Sequence, residues 1–247
     1  CLLPVIHHHC VKIHDIVGSY EVIDVLSSDL SQTIKRLVDK GYCGFNITVP
    51  HKIAVIDLCD RLDDAARKIG AVNTVHIKGG RLYGMNSDVF GFVENLKNNE
   101  GAFDFKNAQA LVLGAGGAAR AVVAGLQEMN VKNITITNRT GEKAAKIADD
   151  CGAQTASWTD RESAAGTCNL VINTTSLGMD GQDGLEFDVK KLSPDTLVCD
   201  IVYKPLETKL LHDAGQQGLK TVTGIGMEWH QARPAFKTWF GIMQDIT

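Results

Sequence analysis

The sequence predicts an α/β protein with a doubly wound parallel sheet beside a smaller α/β domain. Three observations carry that expectation. Residues 111–140 read as strand, glycine turn, helix and strand; β and α signals go on alternating after them; and a shorter α/β pattern before them closes on a hairpin signal. At 247 residues the chain can form one large domain or two modest ones.

In chain order, 20–25 is expected as a strand, 30–40 as a helix and 42–48 as a strand, from their apolar periodicities. The β-type runs 71–77 and 81–85 flank Gly79-Gly80, a two-residue turn that predicts a hairpin. A helix over 88–96 leads into the polar run 97–101, expected as a linker. Leu111-Val112-Leu113 suits a buried strand, Gly114 to Ala118 a tight turn, 119–129 a helix and 133–137 the next strand. Buried strands are expected at 170–173 and 196–202, and a helix at 207–215. A last helix, 227–240, carries Trp229, Phe236, Trp239 and Phe240, aromatic side chains suited to packing back on the first domain. The expected divisions are 1–88, 89–224 and 225–247.

Composition is globular, with 44% hydrophobic and 22% charged residues and only 5 prolines. The net charge of −4, with no Lys/Arg run, argues against a nucleic-acid surface. No stretch of about 18 apolar residues is present to span a membrane. With no leader pattern at its start, the chain is expected in the cytoplasm. The cysteines, 7 in number and without a CxxC pair, read as free thiols in a reducing compartment. The opening Cys1, His7, His8, His9 and Cys10 are poor metal ligands, because consecutive residues cannot all aim at one ion, and no metal is expected. The chain is expected as a monomer or homodimer.

The turn at Gly114, Gly116, Gly117 and Ala118 follows a strand and opens a helix, the context in which a pyrophosphate rests on free helix N–H groups. Such sites for NAD present Asp or Glu at the end of the second strand, to the ribose hydroxyl. This chain presents Asn138-Arg139-Thr140, with Lys143 one turn further on. A carboxylate repels a 2′-phosphate; the Arg139 guanidinium pairs with it and the Thr140 hydroxyl bonds it, so NADP is the expected cofactor. The bland alternative is that Arg139 and Lys143 are solvated surface charges.

Outside this unit, 46–52 ends a strand with polar groups and a proline, where a scaffold offers side chains to a ligand. Lys52 is expected to open a helix, an unfavourable place for a cation, and can deliver a proton to an alkoxide formed by hydride transfer. A solvated lysine is the alternative. Asn73-Thr74 and Asn86-Ser87-Asp88 are further polar knots. Asp88 is either an N-cap or a carboxylate that pairs with Lys52 and shares its acid/base work.

NITVPHK, IGAVNT, GMNSD, GAGGAARA with NRT, INTTSLGM, DIVYKP and GIGMEWHQA occur in an order that resembles the shikimate dehydrogenases, over residues 20–241. The resemblance implies reduction of 3-dehydroshikimate with NADPH. It also implies a Rossmann-type nucleotide domain inserted in a substrate domain that the last helix completes. By matching position it makes Lys52 and Asp88 the catalytic pair. Thr48, Asn73 and Gln231 become substrate ligands; Asn138, Arg139 and Thr140 the 2′-phosphate site; and Thr175 and Ser176 neighbours of the cofactor. Val202, Tyr203 and Gly224 fall around nicotinamide and substrate.

The chain departs from that family at its start, where Cys1 and Leu3 stand for two serines that hold the substrate carboxylate. Losing two charge-assisted bonds, each worth roughly 1.5–3 kcal/mol, weakens binding by about two to four decades unless other groups compensate. Ser87, His51, Glu228 and Trp229 are milder changes within their motifs. A relative acting on quinate or another carbocyclic acid, a weakly catalytic binding module, and a different NADP enzyme are the alternatives.

Overall fold

Residues 2–48 and 50–243 are described in the computed structural model, so Cys1 lies outside the described residues. The chain divides into two units, Cys1–Gly91 with Glu228–Thr247, and Phe92–Met227.

The first unit begins with α1 (Leu3–Ile13), which carries a proline in its first turn, where the missing N–H costs nothing. Its buried residues Leu3, Ile6, His7, Cys10 and Val11 recur at helical spacing. They pack with Ala232 and Phe236. Next come α2 (Leu30–Asp39), β1 (Gly44–Asn46), β2 (Arg61–Leu62), α3 (Asp64–Ile69), β3 (Thr74–Lys78) and β4 (Arg81–Met85). The sheet runs β1-β3-β4-β2, with β2 parallel to β4 and the other pairs antiparallel. Lys78 pairs with Arg81 across Gly79 (φ 59°) and Gly80 (φ 74°). Two successive positive φ values are what a two-residue hairpin turn requires, and only glycine adopts them freely. Ile34, Val55, Ala66, Val72, Val75 and Leu82 form the core under this sheet.

The division falls within α4 (Asp88–Glu100). The second unit continues through β5 (Gln109–Leu113), α5 (Gly117–Glu128), β6 (Asn133–Thr137), α6 (Gly141–Cys151), β7 (Gln154–Ala156) and α7 (Arg161–Ala165). It is completed by β8 (Leu170–Asn173), β9 (Leu197–Asp200), α8 (Lys209–Gln216) and β10 (Lys220–Val222). All of its strand pairs are parallel, in the order β10-β9-β8-β5-β6-β7. Every residue of β8 and β9 is buried, as apolar strands covered on both faces should be, and each ends in a buried polar residue, Asn173 and Asp200. The strand order reverses between β5 and β8, and the crevice at such a switch point is where open α/β sheets bind ligands. The second division falls within α9 (Ile225–Phe240). In the first unit, α9 sets Phe236 fully in the core and donates from Trp239 Nε1 to the Val75 carbonyl at 3.1 Å.

Several sequence expectations are corrected. Residues 20–25 form no strand: they and the edge strand β1 line a groove of about 120 Å³ and form no strand ladder across it. Residues 50–55 are turns followed by a short 3₁₀ segment, Ile56–Leu58, so Lys52 opens no α-helix. The expected linker is largely helix, because α4 runs to Glu100. Helix α1 is an addition to the expected elements, its apolar stripe being interleaved with His and Cys.

Candidate active site

A continuous chain of polar contacts crosses the first unit. Lys52 Nζ donates to Asp88 Oδ2 at 2.7 Å, and Asn73 Nδ2 lies 2.8 Å from Asp88 Oδ1 and 3.2 Å from Gln231 Oε1. Gln231 Nε2 in turn donates to Glu228 Oε1 at 2.7 Å. The Asp88 side chain is 3% exposed and that of Lys52 is 21% exposed, so the pair is shielded while the ammonium keeps a path to solvent.

Local structure holds each member. Lys52 sits in the turn after β1, and its carbonyl accepts from Val72 N at 2.8 Å. Next to it, His51 Nε2 lies 2.8 Å from the Val25 carbonyl. Asn73 ends the turn into β3, and its Oδ1 accepts from Ser87 N at 2.9 Å. Asp88 starts α4 but is not its N-cap: Asn86 Oδ1 takes the Asp88 N–H at 3.0 Å, leaving the carboxylate to Asn73 and Lys52. Glu228 and Gln231 lie three positions apart on α9 and share one face. Burial, then the Asp88 charge, push the Glu228 carboxyl up to about 7, while Lys52 pulls it back. Thr48 is exposed at the end of the β1 segment.

An ammonium bonded to a buried carboxylate, beside amide groups that donate and accept, can pass a proton to a bound oxygen and hold neighbouring hydroxyls. Glu228, a mild change within its motif by sequence, joins this chain of contacts in the structure. Its i, i+3 spacing to Gln231 was the available signal. Tyr20, which sequence pattern marks only as a strand residue, donates from its hydroxyl to Asn46 Oδ1 at 2.9 Å.

In the second unit, the turn between β5 and α5 is suited to a dinucleotide. Gly116 is the N-cap of α5 and makes no side-chain capping bond. A Cβ at Gly116 or Gly117 would meet nothing within 4 Å, so internal packing does not demand glycine there, whereas a closely approaching phosphate does. Gly114 differs: its φ is +112°, and a Cβ would lie 2.6 Å from Thr174 Oγ1. Ala118 follows in the first turn of α5. After β6, Asn138 Nδ2 donates to the Thr140 carbonyl at 2.9 Å, folding the turn at whose tip Arg139 is exposed. Thr140 is the N-cap of α6 without a side-chain capping bond, and Lys143 is exposed in its first turn. Two cations, a hydroxyl and a helix N-terminus fit a phosphate monoester.

At the ends of β8 and β9, Thr175 Oγ1 donates to Asn173 Oδ1 at 2.7 Å and accepts from Leu177 N at 3.1 Å, which ties it into the turn and leaves Ser176 exposed. Asp200 accepts from Asn173, Val202 N and Thr208, and burial pushes it up to about 6. Tyr203 is half-buried beside Val202. Gly224 lies so close to the Ile201 and Val202 carbonyls that a side chain has no room, which gives that glycine a packing role of its own.

Among the described residues, no group of three or more His, Cys, Asp or Glu could hold a metal ion, and no helix is long and apolar enough to cross a membrane.

Comparison with known proteins gives concordant results. The family model described as the shikimate dehydrogenase substrate binding domain matches residues 1–75, and that described as shikimate / quinate 5-dehydrogenase matches 96–179. The chain is 45% identical to shikimate dehydrogenase (NADP(+)) of Methylobacterium radiotolerans, over 99% of its own length and 88% of the relative's. Shikimate dehydrogenase from Aquifex aeolicus superposes with a TM-score of 0.92 at 34% identity, covering 99% of this chain and 89% of that one. Shikimate 5-dehydrogenase from Thermus thermophilus, solved in complex with NADP(H) and shikimate, gives 0.90 at 34% identity, covering 99% and 90%.

Proposed function

Because the chain belongs to the shikimate dehydrogenase family, we propose that it catalyses the reversible, NADP-dependent reduction of the ring ketone of 3-dehydroshikimate to shikimate, within aromatic amino acid biosynthesis. The observation that carries this reading is the shielded Lys52–Asp88 pair joined to Asn73 and Gln231. NADPH supplies the hydride when bound.

Lys52 delivers the proton to the oxygen that becomes the alkoxide, and takes one up in the reverse direction. Asp88 orients the ammonium and balances its charge. Asn73, Gln231 and Thr48 hold ring hydroxyls, and Tyr203 completes the substrate contacts. Gly114, Gly116, Gly117 and Ala118 let the pyrophosphate reach the N–H groups of α5. Asn138, Arg139, Thr140 and Lys143 take the 2′-phosphate. Thr175, Ser176, Val202 and Gly224 line the nicotinamide end.

NADPH formation with shikimate, and separately with quinate, tests the proposal alongside Lys52→Ala. Turnover of shikimate that vanishes in the variant is the expected result. A second reading, preference for quinate or another carbocyclic acid, draws support from Leu3: the family's serine position is occupied here by a side chain buried in the core. High activity on quinate alone would establish it. A cytoplasmic monomer or homodimer completes the proposal, and light scattering of the purified chain decides the oligomeric state.

A further inference from the structure

Glu228 is the last member of the polar chain that starts at Lys52. One cation, Lys52, and two carboxyl groups, Asp88 and Glu228, leave this cluster with a net negative charge whenever both carboxyls are ionised. Among the described residues, the charges that act on Glu228 are Asp88 at the start of α4 and Lys52 in the turn after β1, and Tyr20, in the stretch before α2, is in turn acted on by Glu228. Lys52 is already bonded to Asp88, so it only partly offsets Glu228.

An ionised carboxylate accepts hydrogen bonds and donates none. The Gln231 amide occupies one oxygen of Glu228 at 2.7 Å, and the remaining acceptor capacity suits a donor. A ligand hydroxyl is such a donor. A ligand carboxylate is not, and it is repelled as a like charge in a partly shielded site. Leu3, which is buried with Ile6 and Phe236, offers nothing in compensation.

Resting on the proposed placement of the substrate at the Lys52–Asp88 pair, we propose that Glu228 is a specificity-determining residue. It accepts a hydrogen bond from a ring hydroxyl and disfavours the ring carboxylate, shifting preference toward uncharged polyhydroxylated cyclic substrates.

The test compares wild type, Glu228→Gln and Glu228→Leu with shikimate and with its methyl ester, which keeps the ring and removes the charge. Turnover with NADP is measured at pH 8, and equilibrium binding of each ligand is measured separately by calorimetry. Glu228→Gln preserves the oxygen that receives the Gln231 N–H, so it also controls for local folding. For Glu228→Gln, KM and Kd for shikimate are expected to fall about tenfold, the scale of one like-charge contact, while the ester changes less than about twofold; Glu228→Leu, which also removes the hydroxyl acceptor, is expected to bind the ester about tenfold more weakly than wild type. Equal shifts for acid and ester, or no shift for either, overturn the proposal. Absence of turnover on both ligands refutes the reaction assigned above, and the binding comparison still decides the role of Glu228. Failure of both ligands to bind any of the three proteins overturns both.

Discussion

Asn73 donates to the Asp88 carboxylate at 2.8 Å from a position fifteen residues earlier in the chain, leaving the other carboxylate oxygen to Lys52 at 2.7 Å. Asp88→Asn keeps the volume and removes the charge that orients the ammonium. The expected outcome is a fall in kcat of about 100-fold or more, with the circular dichroism spectrum retained. Steady-state kinetics check this, and an unchanged kcat would reduce the pair to a structural ion pair.

The Arg139 side chain is exposed at the tip of the turn after β6. Arg139→Ala is expected to raise KM for NADP by roughly tenfold or more and to leave KM for NAD nearly unchanged. Equal effects on the two cofactors would remove Arg139 from the 2′-phosphate site.

Two glycines of one turn are predicted to behave in opposite ways. Gly114 has a φ of +112° and lies against Thr174, so Gly114→Ala should destabilise the fold by roughly 1–3 kcal/mol, read from urea denaturation. Gly116 has extended backbone and open space where a Cβ would be. Gly116→Val should therefore keep the denaturation midpoint and weaken NADP binding by about tenfold or more, read by fluorescence titration.

His7 is 1% exposed and stacked on Tyr20 at 4.7 Å. Burial pushes its imidazole down from 6.5 to about 4, against a weaker opposing pull from Asn46. The unfolded chain therefore takes up this proton at a higher pH than the folded one. The contribution is fully present above about pH 6.5, declines as pH falls, and is lost by about pH 4, amounting to roughly 3 kcal/mol. His7→Phe keeps the stacking and removes the titration. Its urea midpoint should fall less between pH 7 and pH 5 than that of wild type; parallel declines would assign the acid sensitivity to other groups.

Local pattern made much of the second unit legible. Strands β6 and β8 are continuous or alternating apolar runs bounded by turn residues, and Gly79-Gly80 announces the hairpin because two consecutive positive φ values leave few other residues possible. Residues 20–25 misled for the complementary reason. Their β-type composition is local, while a strand needs backbone pairing, and these residues line a groove with edge strand β1 without pairing to it. Helix α1 is hard to read from pattern because its histidines face both ways along a helix whose buried stripe also holds Leu3, Ile6 and Val11.

By itself, then, the sequence determined the doubly wound sheet, the phosphate-binding turn and the cationic end of β6, since each depends on residues adjacent in the chain. The residues themselves pointed to Lys52, Asp88 and Asn73, and the resemblance to a family added Gln231. Only the tertiary structure decided that these four form one hydrogen-bonded chain, that Glu228 ends it, and that Leu3 belongs to the core. Asn73 and Gln231 are 158 positions apart. Contacts over such a separation are chosen by the packing of whole elements, and the short-range rules that link neighbouring residues to backbone conformation carry no record of them.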